Sequence, residues 1–255
     1  MNNSVNKALD ILDFVSNNKG QPVSIKKISE ATNINKSTVC HIIETLVDRG
    51  FLVQISKSSG YVLGIYAYNL TRYNSFQSDL VYASEPVLNW IRKETGSNAL
   101  LANLINGEKF ILKYLDVPGN KLNERGLMYK GDLYNSATGR AMLRSLDRKQ
   151  IKDIVRKYGL PTKQEWDGVN SIEDLFEKLD EIRKDKVVLY KQPVTNYEWE
   201  YAIEIIGNKN ERFALGIGIN EIEKPSEEKI TKIKNVLFAA KKEIVKRMNY
   251  ISKEN

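Results

Sequence analysis

Between Ser24 and Gly64 the chain reads SIKKISEATNINKSTVCHIIETLVDRGFLVQISKSSGYVLG, and no other stretch restricts the possible fold as tightly. Two short amphipathic helical patterns flank the Asn33-Ile34-Asn35 turn. Two short strand-like runs follow, joined by a Lys-Ser-Ser-Gly tip ending at Gly60. Helix, turn, helix and hairpin in this order form a winged helix-turn-helix, which suits setting one helix into the major groove of DNA. Ser24 is placed to cap the first of these helices, with Ile25, Ile28 and Ala31 turned inward. The second runs from about Lys36 to Arg49 with Val39, Ile42, Ile43, Leu46 and Val47 as one stripe, and Gly50 suits a left-handed cap. Upstream, Val5, Ala8, Leu9, Leu12 and Val15 fall at helical spacing and define a first helix, ended by Lys19-Gly20-Gln21-Pro22.

At about 100° per residue, the face opposite the apolar stripe carries Ser37, His41, Glu44, Thr45 and Asp48, with Thr38 at its edge. The first residues of such a helix meet base edges, so Ser37, Thr38 and His41 are the candidate readers, with Thr45 in reach of base or backbone. Lys36, Lys57 at the hairpin tip, and Lys26 and Lys27 on the preceding helix are candidate phosphate contacts. The plainer reading makes Ser37 and Thr38 helix caps and His41 a solvated side chain. Glu44 and Asp48 locally disfavour phosphate, and a face without Arg predicts no bidentate contact to guanine.

Past Gly64 the register changes, and residues 65–78 read as a linker helix between a DNA-binding domain over 1–64 and a second domain over 79–255. Leu80 to Thr95 is helical in pattern. Ala99–Ile105 and Phe110–Leu115 form a hairpin about Asn106-Gly107, the favoured two-residue turn. An extended segment is expected near Leu127 to Tyr134. Helices are expected at Thr138–Ser145, Arg148–Tyr158, Ile172–Asp185 and Ser226–Tyr250, and strands at Val187–Tyr190, Trp199–Ile206 and Phe213–Ile219. Interleaved helices and hairpins make this an α+β domain with an antiparallel sheet.

The 255 residues carry a net charge of +7, which permits an anionic partner without requiring one. One Cys (Cys40) and one His (His41) exclude an internal disulfide and a Cys/His metal cage. These two are adjacent on one helix, so their side chains diverge by about 100° and form no dyad. No phosphate-cradling loop, nucleophile elbow or HExxH motif is present, so neither an enzyme nor a cofactor or metal is expected. The start MNNSVNKALDILDF has no leader pattern, and no run approaches about 18 apolar residues, so the expected location is the cytoplasm.

Two features of the second domain point to a ligand. Ser136, Ala137, Thr138 and Gly139 open a helix whose exposed amides suit an anion or polar oxygen, and small side chains let a ligand approach. An ordinary cap with close packing is the plainer alternative. In the strand WEYAIEI, Trp199, Tyr201, Ile203 and Ile205 share one face, and Glu200, Ala202 and Glu204 the other.

INKSTVCHIIETLVDRGFL resembles the recognition region of the IclR family of bacterial transcription regulators. ALDILDFV, the hairpin ending Tyr61-Val62-Leu63-Gly64, IRKETGSNALLANLINGEKFILKYLDV, SATGRAML and LDEIRKD extend the resemblance over nearly the whole chain. It implies an N-terminal winged helix and a C-terminal effector domain with a six-stranded, GAF-like sheet. It also implies dimers or dimers of dimers on palindromic operators, and small metabolites that alter DNA binding. The expected activity is that of a regulator, a repressor rather than an activator, in which the ligand selects between dimer arrangements with different recognition-helix spacing. Only one arrangement would match half-sites ~34 Å apart. A winged helix used only for protein contacts is the alternative. The resemblance places effector contacts at Ser136 to Gly139 and on the strand containing Ala202. There, many relatives carry Cys or Ser and Pro where this chain has Glu200 and Glu204. Glu200 is then expected either to receive hydrogen bonds from the effector or to lie on a solvated strand face, and it would repel a small organic acid.

Overall fold

The computed structural model describes residues 3–18, 20–56, 58–72, 78–117, 133–191, 198–207 and 210–254. The chain forms two compact units, Met1–Ser78 and Asp79–Asn255.

The first unit runs α1 (Asn3–Ser16), α2 (Ile25–Thr32), α3 (Lys36–Asp48), β1 (Leu52–Ser56), β2 (Gly60–Leu63) and α4 (Ile65–Arg72). Ser24 caps α2, its hydroxyl accepting from the Lys27 amide at 3.4 Å. Asn33 closes α2 in the left-handed region at φ 54°, a conformation Asn tolerates better than most residues. Ile34 then drops into the core, and the Asn35 side chain accepts from the Thr38 amide at 2.8 Å to start α3. Three consecutive residues thus end one helix, anchor the turn and begin the next.

The core joins Ile11 and Val15 of α1 to Ile28, Ile34, Val39, Ile43, Leu46 and Leu52. Two expectations of inward placing fail here, for Ala31 and Val47, and two apolar residues of the first helix also face solvent. Val5 and Leu9 are 52% and 54% exposed, because Ile11 marks the inward side of α1 and Val5, six residues away, points about 240° round the helix. Ala31 lies on the solvent side of the eight-residue α2, and Val47 is at the edge of the α3 stripe, 36% exposed. β1 and β2 pair antiparallel, and Val23 adds a bridge to Tyr61, tying the wing to the segment before α2. The start of α4 is pinned to the wing: the Gly64 amide bonds Phe51 O at 2.7 Å, and the Tyr66 ring meets Phe51 edge-on at 4.9 Å.

The second unit comprises α5 (Ser78–Thr95), β3 (Asn98–Ile105), β4 (Glu108–Leu115), α6 (Ala137–Arg144), α7 (Arg148–Tyr158), α8 (Ile172–Arg183), β5 (Val188–Lys191), β6 (Glu198–Ile206), β7 (Arg212–Asn220) and α9 (Glu227–Glu254). Five strands lie in the order β4-β3-β7-β6-β5, every neighbour antiparallel. The β3–β4 turn is the expected pair, Asn106 at φ 52° and Gly107 at φ 83°, both positive as a two-residue hairpin of this type requires. The resemblance implies six strands, and five are found among the described residues. Most of the extended segment expected near Leu127 to Tyr134 lies outside those residues, and Leu133 and Tyr134 occupy a turn.

The sheet is covered on both faces. Leu88, Ile91, Leu237 and Ile244 of α5 and α9 pack with Tyr201, Ile203, Leu215 and Ile217 on one side. On the other, α6 rests on Ala102, Ala202 and Ala214. Gly216 completes this floor: a Cβ there would lie 2.7 Å from Thr138 Cγ2, so α6 approaches too closely for any side chain. α7 and α8 pack beside α6 through Ile151, Ile154, Leu175 and Leu179. Among the described residues no helix is long and apolar enough to cross a membrane.

Candidate functional site

Each unit offers a candidate site at the start of a helix. On α3, Ser37, His41 and Thr45 are exposed and Thr38 is half-exposed. Because Asn35 supplies the cap, Ser37 and Thr38 belong to the first turn and are not the cap residues themselves. The Thr45 hydroxyl is held by His41 O at 3.2 Å, and His41 Nδ1 lies 3.6 Å from Glu44. Lys36, Lys26 and Lys27 are exposed on the same unit, Lys26 standing 3.9 Å from Glu30. Lys57 lies outside the described residues. The wing residues beside it are ordered by Ser56, whose hydroxyl accepts from the Ser59 amide at 2.9 Å.

The start of α6 is built differently. Ser136 is its cap, the hydroxyl accepting from the Gly139 amide at 3.1 Å, and Lys109 Nζ donates to the same oxygen at 2.9 Å. Lys109 is only 5% exposed. The Ala137 amide, the first of the helix, donates to Glu200 Oε2 at 2.8 Å. Glu200 is therefore turned toward α6, as the alternation of β6 requires, and is no solvated surface residue. Ala137 and Ala202 are fully buried, and Ser136, Thr138 and Gly139 are buried with them, Ala202 as packing beneath the helix.

One turn along α6, the Arg140 guanidinium stacks 3.9 Å from the Trp166 ring centroid and 4.4 Å from that of Tyr190. Its donors reach Tyr134 O at 2.9 Å and Glu165 O at 2.8 Å. Burial pushes its pKa down to about 10, against the opposing pull of Tyr190 and Glu200, so it is charged at neutral pH. The Tyr190 hydroxyl bonds Asn135 Oδ1. Cation, aromatic rings and carboxylate thus surround the first turns of α6.

At the other end of the helix, Arg144 pairs with Glu204 and also donates to Ile182 O at 3.0 Å, Asp185 O at 2.6 Å and Lys186 O at 2.9 Å. Beside this cluster lies an open cavity of about 480 Å³, with Arg183, Phe238 and Lys241 on its walls. The Arg183 donors are engaged by Arg144 O, Leu146 O and Asp180, so the two arginines are structural. This cavity sits at the far end of α6 from the predicted ligand residues.

The sequence model of the IclR helix-turn-helix domain matches residues 4–56, which span α1 through β1. The Escherichia coli transcriptional repressor IclR is 20% identical over 159 residues, covering 62% of this chain. The chain spans 58% of that relative's length. The Escherichia coli regulator KdgR is 24% identical over 182 residues, covering 71% of this chain and 68% of the relative. Among solved structures, an IclR homologue from Microbacterium hydrocarbonoxydans complexed with 4-hydroxybenzoate superposes with a TM-score of 0.78 at 16% identity, covering 97% of this chain and 99% of the other. Residues 4–56 carry an IclR-type helix-turn-helix domain, and the chain as a whole is similar to IclR-type regulators.

The sequence singled out Glu200 and the α6 start, which the structure brings into contact, but not Lys109, Arg140, Trp166 and Tyr190, which lie beside them. Arg140 directly follows the SATG motif, and a charge there is the one signal that was available. Lys109 is the most buried residue of β4, yet β4 mixes charged and apolar residues on both faces, so its alternation did not mark the lysine out.

Proposed function

We propose that this protein is a DNA-binding transcription regulator, a repressor, whose first unit reads an operator through α3 and whose second unit responds to a small metabolite. Ser37, Thr38, His41 and Thr45 would meet bases, and Lys36, Lys57, Lys26 and Lys27 would meet phosphates. The carrying observation is the exposed polar face at the start of α3, inside the segment that matches the IclR helix-turn-helix. That helix start leaves its polar side chains in water, where phosphate and base edges can reach them. A repressor role is supported by the curated relative's name, and effector control by the solved homologue complexed with 4-hydroxybenzoate. Residues 1–64 would form the DNA-binding domain, 65–78 a linking helix, and 79–255 the effector and oligomerisation domain, with Ser136 to Gly139, Glu200 and Ala202 at the effector site. A homodimer or dimer of dimers on a palindromic operator, in the cytoplasm, completes the reading.

The test is a mobility shift of the full chain on DNA flanking its own gene, across a salt series. Retardation that weakens steeply with salt, and is relieved by a metabolite found in a thermal-shift screen, is the expected outcome. No complex at low salt would favour the alternative, a winged helix used for protein contacts.

A further inference from the structure

The first amide of α6 already holds a carboxylate. Glu200 arrives from β6, 63 residues away in sequence, and its Oε2 lies 2.8 Å from Ala137 N. Helix starts attract anions through their unsatisfied amides and the helix dipole, and a carboxylate in that position is favoured for the same reasons as a bound acid. Around the contact, Ser136, Ala137 and Thr138 are 3% exposed or less, so the carboxylate closes the position rather than decorating its rim. Buried Lys109 holds the cap hydroxyl, and Arg140, wedged between Trp166 and Tyr190, senses the Glu200 charge. Among the described residues, the aromatic box is filled by an internal guanidinium and the first amide of the helix by an internal carboxylate, the two positions a free carboxylate would otherwise use.

We infer that Glu200 is a tethered anion that occupies the α6 start, so that this site rejects free carboxylic acids and admits only a ligand uncharged at that end. The inference rests on the effector reading of this site. It predicts a contrast with the homologue whose ligand, 4-hydroxybenzoate, is itself a carboxylate.

Cutting Glu200 back to Ala removes the two carbons and two oxygens of acetate, so acetate is the natural probe. In the full chain, Glu200→Ala should lower Tm by a few degrees. Acetate should then raise Tm saturably, with acetamide or chloride at equal concentration doing much less, and with wild type unmoved. Glu200→Ser, which opens similar space while keeping a polar group on the strand, should respond in the same way and serves if the alanine variant does not fold. An acetate response equal in wild type and variants, or absent from both variants, overturns the inference. The same proteins titrated with 4-hydroxybenzoate should show at least tenfold weaker binding to wild type than to Glu200→Ala. Rescue by acetate, with no metabolite loosening the DNA complex, leaves the tether standing and removes the effector reading. Saturable binding of a free acid to wild type that shifts DNA affinity, without acetate rescue, does the reverse.

Discussion

The α3 and α6 helices both begin with a polar cap, and the two beginnings have opposite surroundings. At α3 the cap is the neutral Asn35, and the residues around it, Lys36, Ser37 and His41, stand in water. At α6 the cap Ser136 is buried, a lysine bonds it from β4, and a glutamate from β6 takes the next amide. The same backbone chemistry is left open to an outside anion in one unit and satisfied from within in the other. Whether a helix start becomes a binding site is thus decided by what the neighbouring strands bring to it, and only secondarily by the cap.

The contrast is broken most severely at the closed helix. Arg144→Met should cost about 3 kcal/mol, because Glu204 keeps only Lys241 at 3.5 Å as a cationic partner and three carbonyls lose a donor. Urea unfolding of the full chain measures this, and the double change with Glu204→Leu should cost less than Arg144→Met alone. Converting the open start into a closed one is the sharper test. Asn35→Asp keeps the cap but places a carboxylate beside the reading face. DNA affinity should fall about tenfold while Tm holds, the first read by mobility shift and the second by thermal melting. Within the reading face, His41→Ala should cost about 1–3 kcal/mol on the preferred DNA and little on random DNA. Lys36→Ala should weaken both and lower the salt slope by about 1.

The smallest effect is alkaline. Burial pushes the Tyr134 pKa up to about 12 from 10.0, with the nearby Glu165 adding to the rise. A raised folded pKa means stability that is complete below pH 10 and lost as pH climbs toward 12. Tyr134→Phe should flatten that decline, at about 1 kcal/mol for the lost bond to Gly159 O at neutral pH. Tm against pH from 8 to about 12 checks it.

Local rules carried much of this structure into the sequence. The Asn-Gly hairpin, the Ser24 cap and the alternation of β6 are each decided by a few adjacent residues, and each stands where the pattern put it. Val5 and Leu9 fit the spacing of α1 yet face solvent, because a helical stripe shows periodicity without showing which side the neighbours occupy. The face of Glu200 was legible, but its partner was not. Ala137 is distant in the chain, and only the packing of α6 on the alanine floor brings the two together. Lys109 was hidden for the same reason: the spacing of charges along β4 says nothing about a hydroxyl contributed by residue 136.

Glu200 and Glu204 lie four residues apart on one face of β6, so their backbones are separated by roughly 13 Å. Ala137 and Arg144, which they hold, are seven helical steps apart, roughly 10 Å along the axis. Strand and helix therefore run side by side as two rulers of nearly equal length, fastened at both ends by carboxylates. A single residue inserted into or deleted from α6 would swing its end by about 100° and release one fastening. Change in this stretch is confined to substitution, and the length of the helix is set by the pitch of the strand beneath it.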